Sequence, residues 1–276
     1  MLESASGRSG PWRRAAAAVA LAGAAGRRVG AHLRRLLYPP ACVACGELTE
    51  GEFALCGPCW REAGFLMGAL VCDACGAPLP GQADAEAVAP HCDDCLRHPR
   101  PWDRGRAVLP YRGTGRALVL ALKHGDRTDL ARPMGAWMAA AARSLLGEDR
   151  ADGAEAVLVP VPLHWTRLAL RRHNQAQLLA AAAGRRLGLP VLPDALIRCR
   201  RTASLGTLGR EGRAAALAGA IAPHPRWGRA LAGRPVILVD DVMTTGATLA
   251  EAACAARAAG AGTVHVLVLA RAMREG

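Results

Sequence analysis

Along the second half of the chain, short runs of Val, Leu and Ile recur between longer stretches rich in Ala and Leu. RAVLPY (106–111), AVLVPVP (156–162), PVILVDD (235–241) and TVHVLVLA (263–270) have the length and β-branched content of strands. The stretches between them predict helices around 129–146, 174–187 and 246–259. Strand and helix alternate, which predicts an α/β fold. VILV and VLVLA are apolar throughout, as strands of a parallel sheet covered on both faces are. The expected core is an open, mostly parallel sheet with flanking helices.

The first hundred residues lack this alternation and carry cysteines instead. Eight of the ten fall between residues 42 and 95, as Cys42-x2-Cys45, Cys56-x2-Cys59, Cys72-x2-Cys75 and Cys92-x2-Cys95. A two-residue gap lets both sulfurs of one turn point at a common centre. Glycine follows Cys45 and Cys75, where a tight knuckle turns backbone N–H groups toward the thiolates. Two structural four-cysteine zinc sites are expected. Adjacent hairpins favour sequential pairing, Cys42, Cys45, Cys56 and Cys59, then Cys72, Cys75, Cys92 and Cys95; an interleaved cross-brace would swap the middle pairs. Iron suits the same ligands. A disulfide framework belongs to exported domains, and no credible export signal precedes these pairs. Four thiolates fill a tetrahedron, so His91 and His98 are read as surface residues and catalytic zinc is not expected. Cys199 and Cys254 stand alone and are read as packing residues.

Charge changes the picture more than length does. The 276 residues carry a formal +12 with a pI near 10.0, which favours anionic partners: nucleic acid, phosphorylated metabolites or acidic lipid. Lys123 is the sole lysine among 35 basic residues, so arginine usage reflects a bias across the whole chain. Residues 1–35 read as a basic, Ala/Arg-rich arm, 36–100 as the cysteine module and 101–276 as the α/β domain. The apolar run at 15–26 is shorter than the roughly 18 residues that span a bilayer, so no transmembrane segment is expected and the location is read as cytoplasmic.

The strand VILVDD ends in two carboxylates and runs into VMTTGAT. Ligands of open parallel sheets bind beyond the carboxyl ends of the strands, where the next helix offers free N–H groups to an anion. Asp240 and Asp241 stand at that edge and suit the paired hydroxyls of a ribose. Thr244, Thr245, Gly246 and Thr248 supply hydroxyls and a flexible backbone for a phosphate. The stretch reads as a sugar-phosphate site, while a P-loop is excluded by the missing Gly-Lys-Ser/Thr. Lys123, a compact point charge in LALKHG, is expected to contact phosphate.

VILVDDVMTTGAT resembles the PRPP-binding motif of type I phosphoribosyltransferases. The wider arrangement resembles the ComF family of competence-associated proteins, through LLYPPACVACG, LALKHG, VPVPLHWTRLALRRHNQAQLLA and RCRRTASLGTLGREGR. That resemblance implies a double zinc ribbon before a phosphoribosyltransferase-like domain. It implies that Asp240 and Asp241 hold the ribose hydroxyls with magnesium, and that Met243, Thr244, Thr245, Gly246, Ala247 and Thr248 cradle the 5'-phosphate. A pyrophosphate loop would follow AVLVPVP, with Arg167, Arg171, Asn174 and Gln175. Residues 198–213, with Arg198, Arg200, Arg201, Arg210 and Arg213 against Glu211, would form a mobile flap. If the site is catalytic, Asp240, Asp241, Arg201 and Lys123 are the candidates.

Two departures narrow the chemistry. Thr244 stands where purine-salvage enzymes carry an aspartate base, so 6-oxopurine salvage is not expected. The chain opens on Met1-Leu2, not on the nucleophilic cysteine of glutaminase-bearing members, so glutamine-dependent transfer is not expected either. Leu205 replaces the glutamine common in ComF-like flaps. Three functions stay open: a PRPP- and single-stranded-DNA-binding protein of DNA uptake, an active phosphoribosyltransferase, and a zinc-ribbon adaptor for a DNA helicase.

Overall fold

A computed structural model describes residues 37–81, 89–124, 127–146, 155–164, 173–200 and 210–273, so the basic arm lies outside the described residues. Two short helices belong to the cysteine module, α1 (Gly57–Ala63) and α2 (Asp93–Arg97). Then come β1 (Gly105–Pro110), α3 (Gly113–His124), a 3-10 turn at Thr128–Leu130, α4 (Ala131–Leu146), β2 (Val157–Pro160) and α5 (Gln175–Leu187). The chain continues through β3 (Leu196–Arg198), α6 (Arg210–Leu217), β4 (Ile221–Pro223), β5 (Val236–Met243), α7 (Ala247–Ala258) and β6 (Val264–Arg271).

All four predicted strands enter one sheet of order β1-β6-β5-β2, and every pairing is parallel. AVLVPVP gives the shortest of the four, because prolines at 160 and 162 have no N–H for the ladder. Helix α3 and the antiparallel β3–β4 pair were not predicted. GTGRALVLALKH is apolar on most turns and follows a strand almost directly, while three-residue strands carry no readable period.

Alternate residues of the central strands face two apolar clusters. One side holds Val236 and Leu238 with Leu249, Ala252 and Ala256 of α7. The other holds Ile237 and Val239 with α3, α4 and α5, including Leu122, Met138 and Leu179. The cysteine module joins both: Cys72, Ala74, Cys75 and Trp102 pack with the first cluster, Val43 and Ala63 with the second. Cys199 and Cys254 are exposed, which corrects the packing reading. Cys254 lies on the outer side of α7, whose Ala252, Ala253, Ala255 and Ala256 face the sheet.

Candidate functional site

Neighbouring strands β2 and β5 are followed by helices on opposite faces, α5 on one and α7 on the other. That divergence opens a crevice at the carboxyl end of β5, the usual ligand position of such sheets. A cleft of about 240 Å³ lies there, lined by Asp240, Val242, residues 243–249 and Leu217. Gly246 caps the start of α7 at φ 83, ψ 4, a left-handed conformation that suits glycine. The first-turn N–H groups of α7 have no acceptor within the helix, so this end of the cleft suits an anion. Thr245 Oγ1 accepts one of them, from Ala247 N at 3.4 Å.

Strand alternation separates the two aspartates. Asp240 lines the cleft and accepts the Asp241 N–H at 2.8 Å. Asp241 is 8 % exposed and pairs with Lys123 Nζ at 3.1 Å. The last turn of α3 delivers Lys123 to this carboxylate, whereas the sequence pointed to phosphate. Burial pushes the Asp240 carboxyl up to about 7, with the Asp241 charge adding to the rise and Lys123 and Arg198 opposing it.

Asn174 is the N-cap of α5: its Oδ1 accepts from Ala176 N at 3.0 Å, and its Nδ2 donates to Val161 O at 3.1 Å. Gln175 is buried. Arg200 donates to the carbonyls of Ala218 at 2.7 Å and Ala216 at 3.4 Å, closing the end of α6. Arg167, Arg171, Arg201 and Leu205 lie outside the described residues, as do the side chains of Arg210, Glu211 and Arg213.

The eight paired cysteines form the two sequential groups, with the ligand atoms of each group within 4.8 Å of one another. Cys45 and Cys56 sulfurs are 3.6 Å apart, Cys75 and Cys92 sulfurs 3.7 Å. A zinc tetrahedron with bonds of about 2.3 Å has edges of about 3.8 Å, so both groups fit structural zinc. Crowding also splits the protons. Hydrogen bonds from Cys75 and Cys95 pull the Cys72 thiol down to about 3, while the bond to Cys72 pushes Cys95 up. A divalent ion removes all four protons. His91 and His98 are exposed, as expected. No helix among the described residues is long and apolar enough to cross a membrane.

Residues 33–96 match the family model of the double zinc ribbon domain. DNA utilization protein YhgH of Escherichia coli K12 is 31 % identical over 244 residues, covering 86 % of this chain and all of that protein. Competence protein F of Haemophilus influenzae is 29 % identical over 232 residues, covering 84 % of this chain and 96 % of its own. The chain belongs to the ComF family. A solved hypoxanthine phosphoribosyltransferase from Staphylococcus aureus overlaps 54 % of this ComF-family chain and 68 % of itself, with 13 % identity and a TM-score of 0.29.

Two residues at the site of this ComF-family chain were not singled out from the sequence. Arg100 donates from Nη1 to Thr245 O at 2.8 Å, from Nη2 to Asp94 at 2.6 Å and from Nε to Cys95 Sγ at 3.3 Å. Arg271 donates from Nη1 to Thr244 O at 2.6 Å and Met243 O at 3.2 Å, and its Nη2 lies 3.9 Å from Cys75 Sγ. In a chain so rich in arginine, neither carries a local signal; each is picked out by where the fold puts it.

Proposed function

We propose that the cleft at the end of β5 binds a 5'-phosphorylated ribose, PRPP with its magnesium ion being the form that fills it, in a protein that handles single-stranded DNA. The observation that carries this reading is the loop 243–248, which runs from the carboxyl end of β5, two residues beyond Asp241, into a helix N-terminus through a left-handed glycine. The phosphate would meet N–H groups and threonine hydroxyls. Asp240 would accept from the ribose hydroxyls, and Asp241 with Lys123 would hold the strand end in place. The net charge of +12 and the names of the relatives, a DNA utilization protein and a competence protein, support contact with DNA. Thr244, at the position of the aspartate base of purine-salvage enzymes, argues against 6-oxopurine transfer, and with no acceptor nucleophile identified binding is the preferred reading.

Calorimetric titration of the full chain with PRPP and magnesium should show one site, weakened about tenfold or more by Gly246→Val. A side chain at Gly246 meets Trp102 at 3.0 Å, so the loop would have to shift. No binding of PRPP or ribose 5-phosphate at millimolar concentration overturns the reading. Labelled single-stranded DNA displaced by PRPP would place DNA in the cleft itself; DNA retained beside bound PRPP would assign it to the basic surface. Pyrophosphate release abolished by Asp241→Asn would replace binding by transfer.

A further inference from the structure

We propose that Arg100 and Arg271 are positioning residues that make the shape of the phosphate loop conditional on the second metal cluster, Cys72, Cys75, Cys92 and Cys95. The proposal rests on reading residues 243–248 as a phosphate site. Its basis is a double set of contacts. Each guanidinium reaches a cluster sulfur with one nitrogen and a loop carbonyl with another: Arg100 joins Cys95 to Thr245, and Arg271 joins Cys75 to Met243 and Thr244.

Charge explains the sulfur side. Four thiolates around a divalent zinc leave a net charge of about −2, and two guanidiniums oppose it. Arg100 also pairs with Asp94 at 2.6 Å. Arg271 is 6 % exposed and forms no ion pair with a carboxylate among the described residues. Its Nε is buried with no hydrogen-bond partner. A buried cation without a counter-charge is costly, and the tetrathiolate is the anion within its reach.

Backbone geometry explains the loop side. No peptide bond here is cis, and in a trans peptide the C=O and the following N–H point in opposite directions. Holding the carbonyls of Met243, Thr244 and Thr245 toward the ribbon therefore turns the N–H groups of Thr244, Thr245 and Gly246 away from it, where they can serve an anion in the cleft. Trp102 braces the same loop under Gly246, and its Nε1 donates to Ala74 O at 2.6 Å, between two of the cluster cysteines.

Hydrogen exchange at Ala272 and Ala250 of the zinc-loaded full chain, whose N–H groups donate to the loop carbonyls of Met243 at 2.9 Å and Gly246 at 2.8 Å, reads the coupling without any ligand. Arg271→Met and Cys92→Ser are each expected to speed exchange there by about tenfold or more, the size of one charge-assisted hydrogen bond. Arg271→Met should also give up zinc from this cluster to a chelator faster, and Arg271→Lys, which keeps a charge for the sulfurs but not the fork, should restore zinc retention without restoring loop protection. Linkage is reciprocal, so PRPP should slow the loss of zinc from this cluster to a chelator. The proposal is overturned if Arg271→Met, holding two zinc ions, exchanges within about twofold of the wild type. It is equally overturned if Cys56→Ser, in the other cluster, loosens the loop as much as Cys92→Ser. Should Arg271→Met not fold, Arg100→Gln answers the same question by the same readout. Coupling without PRPP binding would remove only the ligand reading; PRPP binding without coupling would remove only this one.

Discussion

The two ribbons start from the same local design and meet different surroundings. In the first, Cys42 N donates to Glu47 O at 2.6 Å, Gly46 N to Cys42 O at 2.9 Å and Thr49 N to Pro40 O at 2.9 Å. In the second, Cys72 N donates to Ala77 O at 2.7 Å, Gly76 N to Cys72 O at 2.8 Å and Leu79 N to Leu70 O at 2.8 Å. Both knuckle glycines are left-handed, at φ 82 and φ 68. The difference is tertiary: in the first group only Cys42 is buried, whereas Cys72, Cys75 and Cys95 of the second are all buried against the sheet. The residue after the first cysteine also differs, in the opposite sense. Val43 packs into an apolar cluster, while Asp73 binds Arg104 at 3.1 Å and Arg106 at 2.8 Å beside β1. One metal-binding unit thus forms a partly exposed site, and its repeat becomes part of the domain core.

The largest expected contrast is between Cys72→Ser and Cys45→Ser. Losing a core metal should cost more than about 4 kcal/mol, and losing the exposed one about 2 kcal/mol, read by thermal melts beside metal analysis. Equal losses would break the comparison. Next come the knuckle glycines. A Cβ at Gly76 meets Ala107 N at 2.5 Å and Arg106 C at 3.0 Å, both backbone atoms that cannot swing aside, whereas one at Gly46 meets nothing within 4 Å. Gly76→Ala should cost about 3 kcal/mol or more, through overpacking added to strain. For Gly46→Ala the cost is about 1 kcal/mol, from left-handed strain alone. Urea titration separates the two.

Asp73→Asn should destabilise by about 2 kcal/mol at neutral pH, because two guanidiniums lose their shared carboxylate. Burial opposes ionisation of Asp73, but the hydrogen bond and charge of Arg106, followed by Arg104, prevail and hold its carboxyl below the ordinary value of 3.8. A depressed pKa stabilises above the unfolded value and is lost as pH falls through the folded one. The gap between Asp73→Asn and wild type should therefore close on acidification below pH 3.8. The smallest effect concerns the cleft that the second ribbon backs. Asp240 is raised to about 7, so its ionised form weakens the unliganded fold above that pH and not below about 4. Asp240→Asn should melt about 3 °C higher at pH 8 and no differently at pH 4.

Much of the site is local and could be read directly. The β-branched run, the acidic strand end, the Thr-Thr-Gly turn and the helix after it are contiguous, so the order of residues sets the order of groups along the cleft. Cysteine spacing is equally local, since a knuckle closes within six residues. The helix carrying Lys123 was missed because it opens on Gly-Thr-Gly, residues that read as a turn and are poor helix formers, which leaves only a short apolar stretch behind them. Its pairing with Asp241, 118 positions away in the sequence, depends on which helix covers which face.

From the sequence alone came two four-cysteine clusters, a parallel sheet and a Thr-Thr-Gly loop leading from a strand into a helix, because each is written largely in residues close together in the chain. Only the tertiary structure decided which ribbon is buried, which aspartate faces the cleft, and which two of many arginines tie a metal cluster to the loop. Those outcomes turn on how strand alternation and helix placement bring distant segments together. Sheet pleat sends Asp240 and Asp241 to opposite sides whatever their chemistry, and the fold sets Arg100 and Arg271 between the second cluster and the loop while Arg104 and Arg106, no different in sequence, pair with Asp73 instead.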